Sequence, residues 1–441
     1  VAEALMRGLK STLVLFVVLA GLLGYIYYSD SDEAGSDEKK EQAFTSVTAG
    51  DIEEIEVKAA DGETSRVRKA GEKWNLVAPV QTAADETEVN AMTSSLAALD
   101  IQRVVDENPS DLKQYGLEPA RMEVAFRQKG DKEDRRILLG DKTPTGGDLY
   151  ASLPGQKRVF LVASLHDATF NKNTFALRDK AILSLERDKV DRVEIAAGER
   201  SVTLAKSGTE WKIEKPIAAR ADFAAIEGAL ERLASGRMQG IVNADGADLK
   251  KYRLDPPIAS FTAASGSSRA TLLLGETENA LIYAKDAARP VVFTVAPNLY
   301  TDLVRDLAEF RRKDLFDSRS FTISRIELRR GSETTVLEKS KAADGKETWK
   351  SADGKDADTA KVEDLLAKVS GLRADTFAAT ANAALKSPAL TVVVRYDDKT
   401  EQVAFARAGT EVVASRSDEP GSATVETMAF EEAIKALDAL K

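Results

Sequence analysis

The sequence predicts an α+β protein: a tandem repeat of about three related, mainly antiparallel-sheet domains with packed helices, preceded by one N-terminal transmembrane helix. Three observations lead there. An uncharged apolar run, TLVLFVVLAGLLGYIYY, spans Thr12 to Tyr28. The three tryptophans, Trp74, Trp211 and Trp349, stand 137 and 138 positions apart. Around them, segments of period-two hydrophobicity alternate with stretches whose apolar residues recur at helical spacing.

The apolar run has 17 residues, the short end of what crosses a bilayer as a helix. Arg7 and Lys10 precede it, and Asp30, Asp32, Glu33, Asp37 and Glu38 follow. That asymmetry favours a cytoplasmic N-terminus and an external body. Tyr25, Tyr27 and Tyr28 stand where an interfacial aromatic belt would lie. The alternative is a signal peptide cut after Val18-Leu19-Ala20, but the apolar run continues for eight residues past Ala20. Residues 1–11 are then a cytoplasmic N-terminus and 12–28 the span. Residues 29–46, which open SDSDEAGSDEKKEQA, form a flexible acidic linker.

Composition removes several kinds of chemistry. The net charge is −10, which disfavours nucleic acid as a partner because phosphate contacts need clustered Lys and Arg. Without cysteine there is no disulfide, thiol nucleophile or Cys-ligated zinc. One histidine, His166, leaves almost no material for a Ser-His-Asp triad or a two-His metal site. No phosphate-binding glycine motif occurs, so no nucleotide is expected.

Other landmarks keep the tryptophan period. Asp85 corresponds to Asp222, and Tyr115-Gly116-Leu117 to Tyr252-Arg253-Leu254. ILLGD at 137–141 answers LLLGE at 272–276. Leu149-Tyr150-Ala151 answers Ile282-Tyr283-Ala284, and VFLVAS at 159–164 answers VFTVAP at 292–297. Three units follow, at 47–186, 187–318 and 319–441. The third is expected to be divergent and shortened, since Trp349 lacks the following Pro and no Tyr-x-Leu element precedes Pro388.

Within the first unit, Ile52–Ala60 and Thr64–Ala70 alternate as strands around an Asp61-Gly62 turn. Lys73–Val77 is a third strand. A helix over 86–99 leads to a strand near 101–106, and a short helix at 110–115 ends at a Gly116 C-cap. Strands near 121–128, 134–139, 148–153 and 158–163 precede a closing helix near 165–176.

The most regular element is a corner: Trp74…Pro79…Asp85, repeated as Trp211…Pro216…Asp222, and as Trp349…Asp358 without the proline. Val89, Ile226 and Val362 lie four positions after the aspartates, and Leu96, Leu233 and Val369 eleven after, so these side chains share one helical face. An Asp directly before such a stripe is an N-cap. Glu88 offers a capping-box partner in the first unit. Pro79 and Pro216 end the strand that carries the Trp, and the Trp covers the joint between strand and helix. The functional alternative is that Trp and Asp line a ligand groove in each unit.

This corner, with its amphipathic helix, then Asp111-Leu-x-x-Tyr115-Gly-Leu-x-Pro119, then a Leu-Gly strand end and a Tyr-Ala strand, resembles the bacterial family called domain of unknown function 4340. The likeness covers the first two units best. It implies a membrane-anchored protein, of a kind often encoded beside ABC-type transport systems of the gliding-motility type. The family supplies no catalytic residues to carry over. The resulting address is the bacterial inner membrane, single-pass, with a periplasmic ectodomain.

The remaining candidates are weak. Asn243–Asp248 and Asp353–Asp358 resemble calcium loops but lack the EF-hand spacing and its terminal Glu. His166, between a strand and a helix, is expected at the polar surface or in a cap. The basic clusters Arg178/Lys180 and Arg311-Arg312-Lys313 either face lipid or a partner, or sit at helix C-termini. No catalytic residue, cofactor or metal ligand is assigned. The expected role is a non-enzymatic accessory or scaffold of an ABC-type transport or envelope complex, bound to a permease or another envelope component. The alternatives are a glycan hydrolase using paired carboxylates and a lipid or polysaccharide carrier with an apolar groove.

Overall fold

The computed structural model describes residues 41–341 and 347–440. The expected membrane span, the residues before it and the first part of the linker lie outside the described residues. Among the described residues no helix is long and apolar enough to cross a membrane. The chain divides into two units, one ending at Asp179 and one beginning at Lys180.

The first unit is one nine-stranded antiparallel sheet with helices. Its strands are β1 (Ile52–Lys58), β2 (Thr64–Ala70), β3 (Lys73–Ala78), β4 (Thr82–Ala83), β5 (Arg103–Asp106), β6 (Met122–Gln128), β7 (Arg135–Lys142), β8 (Asp148–Ser152) and β9 (Val159–Ala163). The spatial order is β4-β3-β2-β1-β6-β7-β8-β9-β5. Two meanders thus run outward from the β1–β6 pair. Helix α1 (Glu86–Ala97) carries the chain from one sheet edge to the other, where β5 pairs with β9. Val89, Met92, Thr93 and Leu96 form its buried stripe. Val89, Met92 and Leu96 pack with Ile55, Val57, Val67, Trp74, Leu149 and Phe160 in one core between sheet and helices.

Three expectations for this unit change. The closing helix is two helices, α2 (Leu165–Phe170) and α3 (Thr174–Leu177). Asn173 breaks it by capping α3, its side chain accepting from Ala176 N at 3.0 Å, while Asn171 Oδ1 accepts from Ala60 N at 2.9 Å. The linker ends earlier than residue 46. Ala43 and Phe44 are buried, Ala43 N donates to Leu99 O at 2.8 Å, and Phe44 meets Phe126 edge-on at 5.0 Å. The helix expected at 110–115 is one 3-10 turn, Lys113–Tyr115, closed by Gly116 in the left-handed region at φ 67°.

The second unit holds two further nine-stranded antiparallel sheets, at 192–295 and 323–425, with the strand order of the first, position for position. Their long helices, Phe223–Ser235 and Thr359–Ser370, bury Ile226, Ala229, Leu230 and Leu233, and Val362, Leu365, Leu366 and Val369. The third repeat therefore keeps the whole sheet, despite the weak motifs that led us to expect a shortened unit. It differs in its closing element, a single helix, Thr427–Asp438, whose Phe430, Ala433 and Leu437 join the core. Among the described residues there are eight α-helices.

The face of each sheet away from the long helix is charged along its central strand. Glu56, Glu194 and Glu327 occupy one register position and pair with Arg66, with Arg192 and Arg269, and with Arg329. Such pairs, half in water, contribute about 0–1 kcal/mol each. They keep an open sheet face soluble more than they hold it together.

Candidate functional site

Trp74, Trp211 and Trp349 are 2–3% exposed, so none offers a ring to a ligand. Each stands opposite a lysine on the neighbouring strand: Lys69, Lys206 and Lys339. The Lys206 and Lys339 ammonium groups sit 5.5 and 5.7 Å from the indole centres. These are cation–π contacts, and the Lys339 ammonium also reaches Phe321 O at 3.2 Å and Glu347 at 3.3 Å. The Trp211 indole N–H donates to Glu227 of the long helix at 3.1 Å, which ties strand to helix.

The three aspartates cap their helices. Asp85 accepts from Thr87 N at 3.1 Å and Glu88 N at 3.3 Å, Asp222 from Ala225 N at 2.9 Å, and Asp358 from Ala360 N at 3.0 Å and Lys361 N at 3.3 Å. The expected capping box does not close. Asp85 N donates instead to Leu177 O at 2.8 Å, and Glu88 pairs with Lys172 at 2.6 Å. The neighbouring Glu86 takes the N–H of Trp74 at 2.8 Å. Pro79 and Pro216 directly follow the strands Lys73–Ala78 and Glu210–Lys215.

Tyr115 and Tyr252 belong to a second motif on the other face. Tyr115 meets Tyr150 at 5.0 Å and Tyr252 meets Tyr283 at 4.9 Å. Because Leu149 and Ala151 point into the helix-side core, Tyr150 points away from it. The Leu-Gly strand end lets this turn lie flat on the sheet. A Cβ on Gly140 would stand 2.0 Å from Tyr115 O, and one on Gly275 2.1 Å from Tyr252 O.

The densest charge cluster lies within the second unit, between its two repeats. Glu419 accepts from Arg220 Nε at 2.6 Å, Arg220 N at 3.1 Å and Arg311 Nη2 at 2.9 Å. Arg220 also reaches Asp317 at 2.7 Å and Asp314 O at 2.8 Å. Arg311 lies over the Phe377 ring at 4.0 Å, and Arg312 pairs with Asp317 at 2.8 Å. Beneath them Arg416 joins Glu401 at 3.1 Å, Asp418 at 2.8 Å and Leu315 O at 2.6 Å. Glu401 in turn accepts from Asp317 N at 2.9 Å and Ser318 N at 3.1 Å.

Burial works against charge on Arg416, but the Asp418 and Glu401 carboxylates outweigh it and raise its pKa. Burial likewise pushes Asp418 up, yet the bonded Arg416 guanidinium holds it below the usual carboxylate value. Burial first, then the nearby Glu401 and Asp317, push Tyr396 up to about 12. Every carboxylate here has a cation or backbone donor, so the cluster binds repeat to repeat and leaves no free acid to act on a substrate. Arg311 is the C-cap of the helix Leu307–Phe310, as expected of a helix-end charge, and Arg311 and Arg312 turn their guanidinium groups to Glu419 and Asp317 rather than to lipid.

The sequence did not point to Glu401, Arg416 or Glu419. Their partners lie up to 199 positions away, and no local pattern marks them.

The other candidates resolve plainly. Among the described residues no group of three or more His, Asp or Glu could hold a metal. In the loop at 243–248, Asn243 Oδ1 accepts from Asp245 N at 3.0 Å and Gly246 N at 3.1 Å. Asp353 is engaged by Lys355 and Ser351, which lower it to about 2. These are turn-forming contacts. His166 is buried, not at the surface. It stacks on Phe170 at 5.6 Å, its Nδ1 has no hydrogen-bond partner, and burial lowers its pKa.

The family profile "Domain of unknown function (DUF4340)" matches residues 74–212 and 211–390, more than half of the chain. The chain belongs to this family. Both DUF4340 matches begin at a tryptophan strand, so the profile's period cuts through each sheet and does not follow its edges. No curated protein matches the chain. Among solved structures, two DNA polymerase sliding clamps from Pseudomonas aeruginosa are similar at 9% and 10% identity. Each alignment covers 87% of this chain and 92% of the clamp, with a TM-score of 0.15. A likeness that low carries no argument about fold or activity.

Proposed function

We propose that the chain is a non-enzymatic accessory of an ABC-type transport or cell-envelope complex. It is anchored in the bacterial inner membrane by residues 12–28 and acts through protein–protein contact in the periplasm. The observation that carries this reading is how the repeated acidic residues are used. At each corner an aspartate caps a helix, and at the junction of the second and third repeats a further acid, Glu419, neutralises Arg220 and the buried Arg311. Such a junction ties the second repeat to the third and uses its acids for structure, which suits a protein that presents surface to a partner. A glycan hydrolase would need two carboxyls facing each other across a cleft.

The test is co-purification. The full chain, tagged at its C-terminus, is taken from membranes in mild detergent beside a form lacking residues 1–28, and what comes along is identified by mass spectrometry. A permease or its ATPase in fixed ratio with the full chain supports the role. Its absence, under conditions that keep other membrane complexes intact, overturns it.

A further inference from the structure

We infer that the second repeat carries a binding site for a single-chain anionic amphiphile, a carboxylate or phosphate head on a short alkyl chain, in the pocket between Arg200–Val202, Lys215–Pro216 and Arg305–Leu307. The pocket has a volume of about 560 Å³. That lies within the range of about 300–1,000 Å³ usual for small-molecule sites.

Comparison with the first repeat shows how the site arises. The β2–β3 register places Arg66 opposite Ala78, and the equivalent register places Thr203 opposite Lys215. Ser65 therefore corresponds to Val202, Glu63 to Arg200 and Ala78 to Lys215. The two closing helices begin at Thr174 and Leu307, so Lys172 corresponds to Arg305. In the first repeat this place is shut by a polar clasp. Ser65 Oγ and Thr174 Oγ1 are 2.8 Å apart and buried, and Glu63 accepts from Thr174 N at 3.4 Å. In the second repeat both hydroxyls are replaced by the aliphatic side chains of Val202 and Leu307, and Glu63 is replaced by Arg200, while Glu199 and Asp306 take the places of Gly62 and Asn173.

An apolar floor with a cationic rim follows. Val202, on the same strand face as the core residue Leu204, is 7% exposed and forms the floor with Leu307 and Pro216. Arg200, Lys215 and Arg305 stand around it with one acid, Glu199, so the rim is cationic on balance. Arg200 is paired with Asp306, and Arg305 Nε donates to Asp302 O at 3.0 Å. Lys215 makes no ion pair among the described residues, so its ammonium is the cation open to a ligand head. A bare anion would leave the Val202–Leu307 floor against water. A neutral alkyl chain would leave the rim unused. An anionic amphiphile matches both. The inference does not depend on the accessory role.

The test is photo-crosslinking of the full chain, held in zwitterionic lipid nanodiscs, with a diazirine-bearing octyl phosphate whose attachment sites are mapped by mass spectrometry. Labelling is expected on peptides containing residues 200–202, 215–216 and 305–307. Octyl phosphate should compete with it, while inorganic phosphate and octanol at the same concentration should not. Lys215→Ala, an exposed change to the first repeat's own residue, should cut labelling at least tenfold. The pair Val202→Ser and Leu307→Thr, which rebuilds the first repeat's clasp, should do the same with an unchanged circular dichroism spectrum. Labelling unchanged in Lys215→Ala overturns the proposal, as does equal competition by inorganic phosphate or by octanol.

Discussion

Replacing Glu419 by alanine should loosen the junction of the second and third repeats. Glu419 accepts three hydrogen bonds, from Arg220 Nε, Arg220 N and Arg311 Nη2. The Arg311 side chain is 5% exposed, its Nε has no acceptor, and without Glu419 it keeps only the Phe377 ring beside it. Arg220 loses less, because Asp317 and the Asp314 carbonyl still hold it. Removing one partner of a buried ion pair costs about 3–5 kcal/mol, and the retained Arg220 contacts place this case near 3. Glu419→Gln keeps an acceptor oxygen and should cost about 1.5 kcal/mol. Hydrogen exchange by mass spectrometry reads the effect locally. Arg312 N donates to Arg220 O across this corner, so exchange over 312–318 should quicken roughly 100-fold for alanine, at about 1.4 kcal/mol per decade. An increase below about threefold in both variants, with no change in the urea midpoint, would refute a desolvated network and mean that water already screens these charges.

Gly140→Ala and Gly275→Ala should each destabilise their repeat by about 1–3 kcal/mol or more, because the new methyl meets a tyrosine carbonyl oxygen. Gly50→Ala, which meets nothing within 4 Å, is the neutral control in thermal melts. Asp85→Ala, Asp222→Ala and Asp358→Ala should each cost about 1 kcal/mol as lost N-caps, and asparagine at the same positions should restore most of it. Acid should unfold the first unit in two stages. His166 is buried with its pKa lowered, so the unfolded chain binds a proton first, and stability declines as pH drops below about 6.5. Burial pushes Glu54 and Asp167 up, but Arg68 on the one and Arg121 and Lys142 on the other lower both. Their contribution is present above the unfolded values, about 3.9 for Asp and about 4.3 for Glu, and is lost as pH falls through the depressed folded values. A pH series of urea midpoints checks both stages. His166→Phe should remove the first stage and leave the second.

Much of the fold was legible because it is written in short-range terms. Ile52–Lys58 and Thr64–Ala70 alternate along the chain, and Asp85, Asp222 and Asp358 each stand one residue before an amphipathic stripe. Strand pleat and helix period act over two to four residues, so a window of sequence contains the whole cause. Errors fell where a distant group intervened. The closing helix broke at a local cap, Asn173, beside the distant Asn171–Ala60 bond, the capping box failed because Leu177 had claimed Asp85 N, and Phe44 left the linker because Phe126 lay within reach. His166 was assigned to the surface because a lone polar residue between two elements usually belongs there. Phe170, on the next turn of the same helix, buries it.

By itself the sequence determined a repeated α+β unit with a period near 137 residues and the helix caps that begin each crossover, since propensity, pattern and repetition are properties of the chain. Tertiary structure alone decided that the third repeat keeps all nine strands, and that a glycine within a strand makes room for a tyrosine carbonyl. It also decided that Glu419 serves Arg220, 199 positions away, and that Val202 and Leu307 open a pocket where Ser65 and Thr174 close one. Each of those depends on which side chains meet after the sheet has formed. Desolvation and steric exclusion act between neighbours in space, and the linear sequence does not name those neighbours.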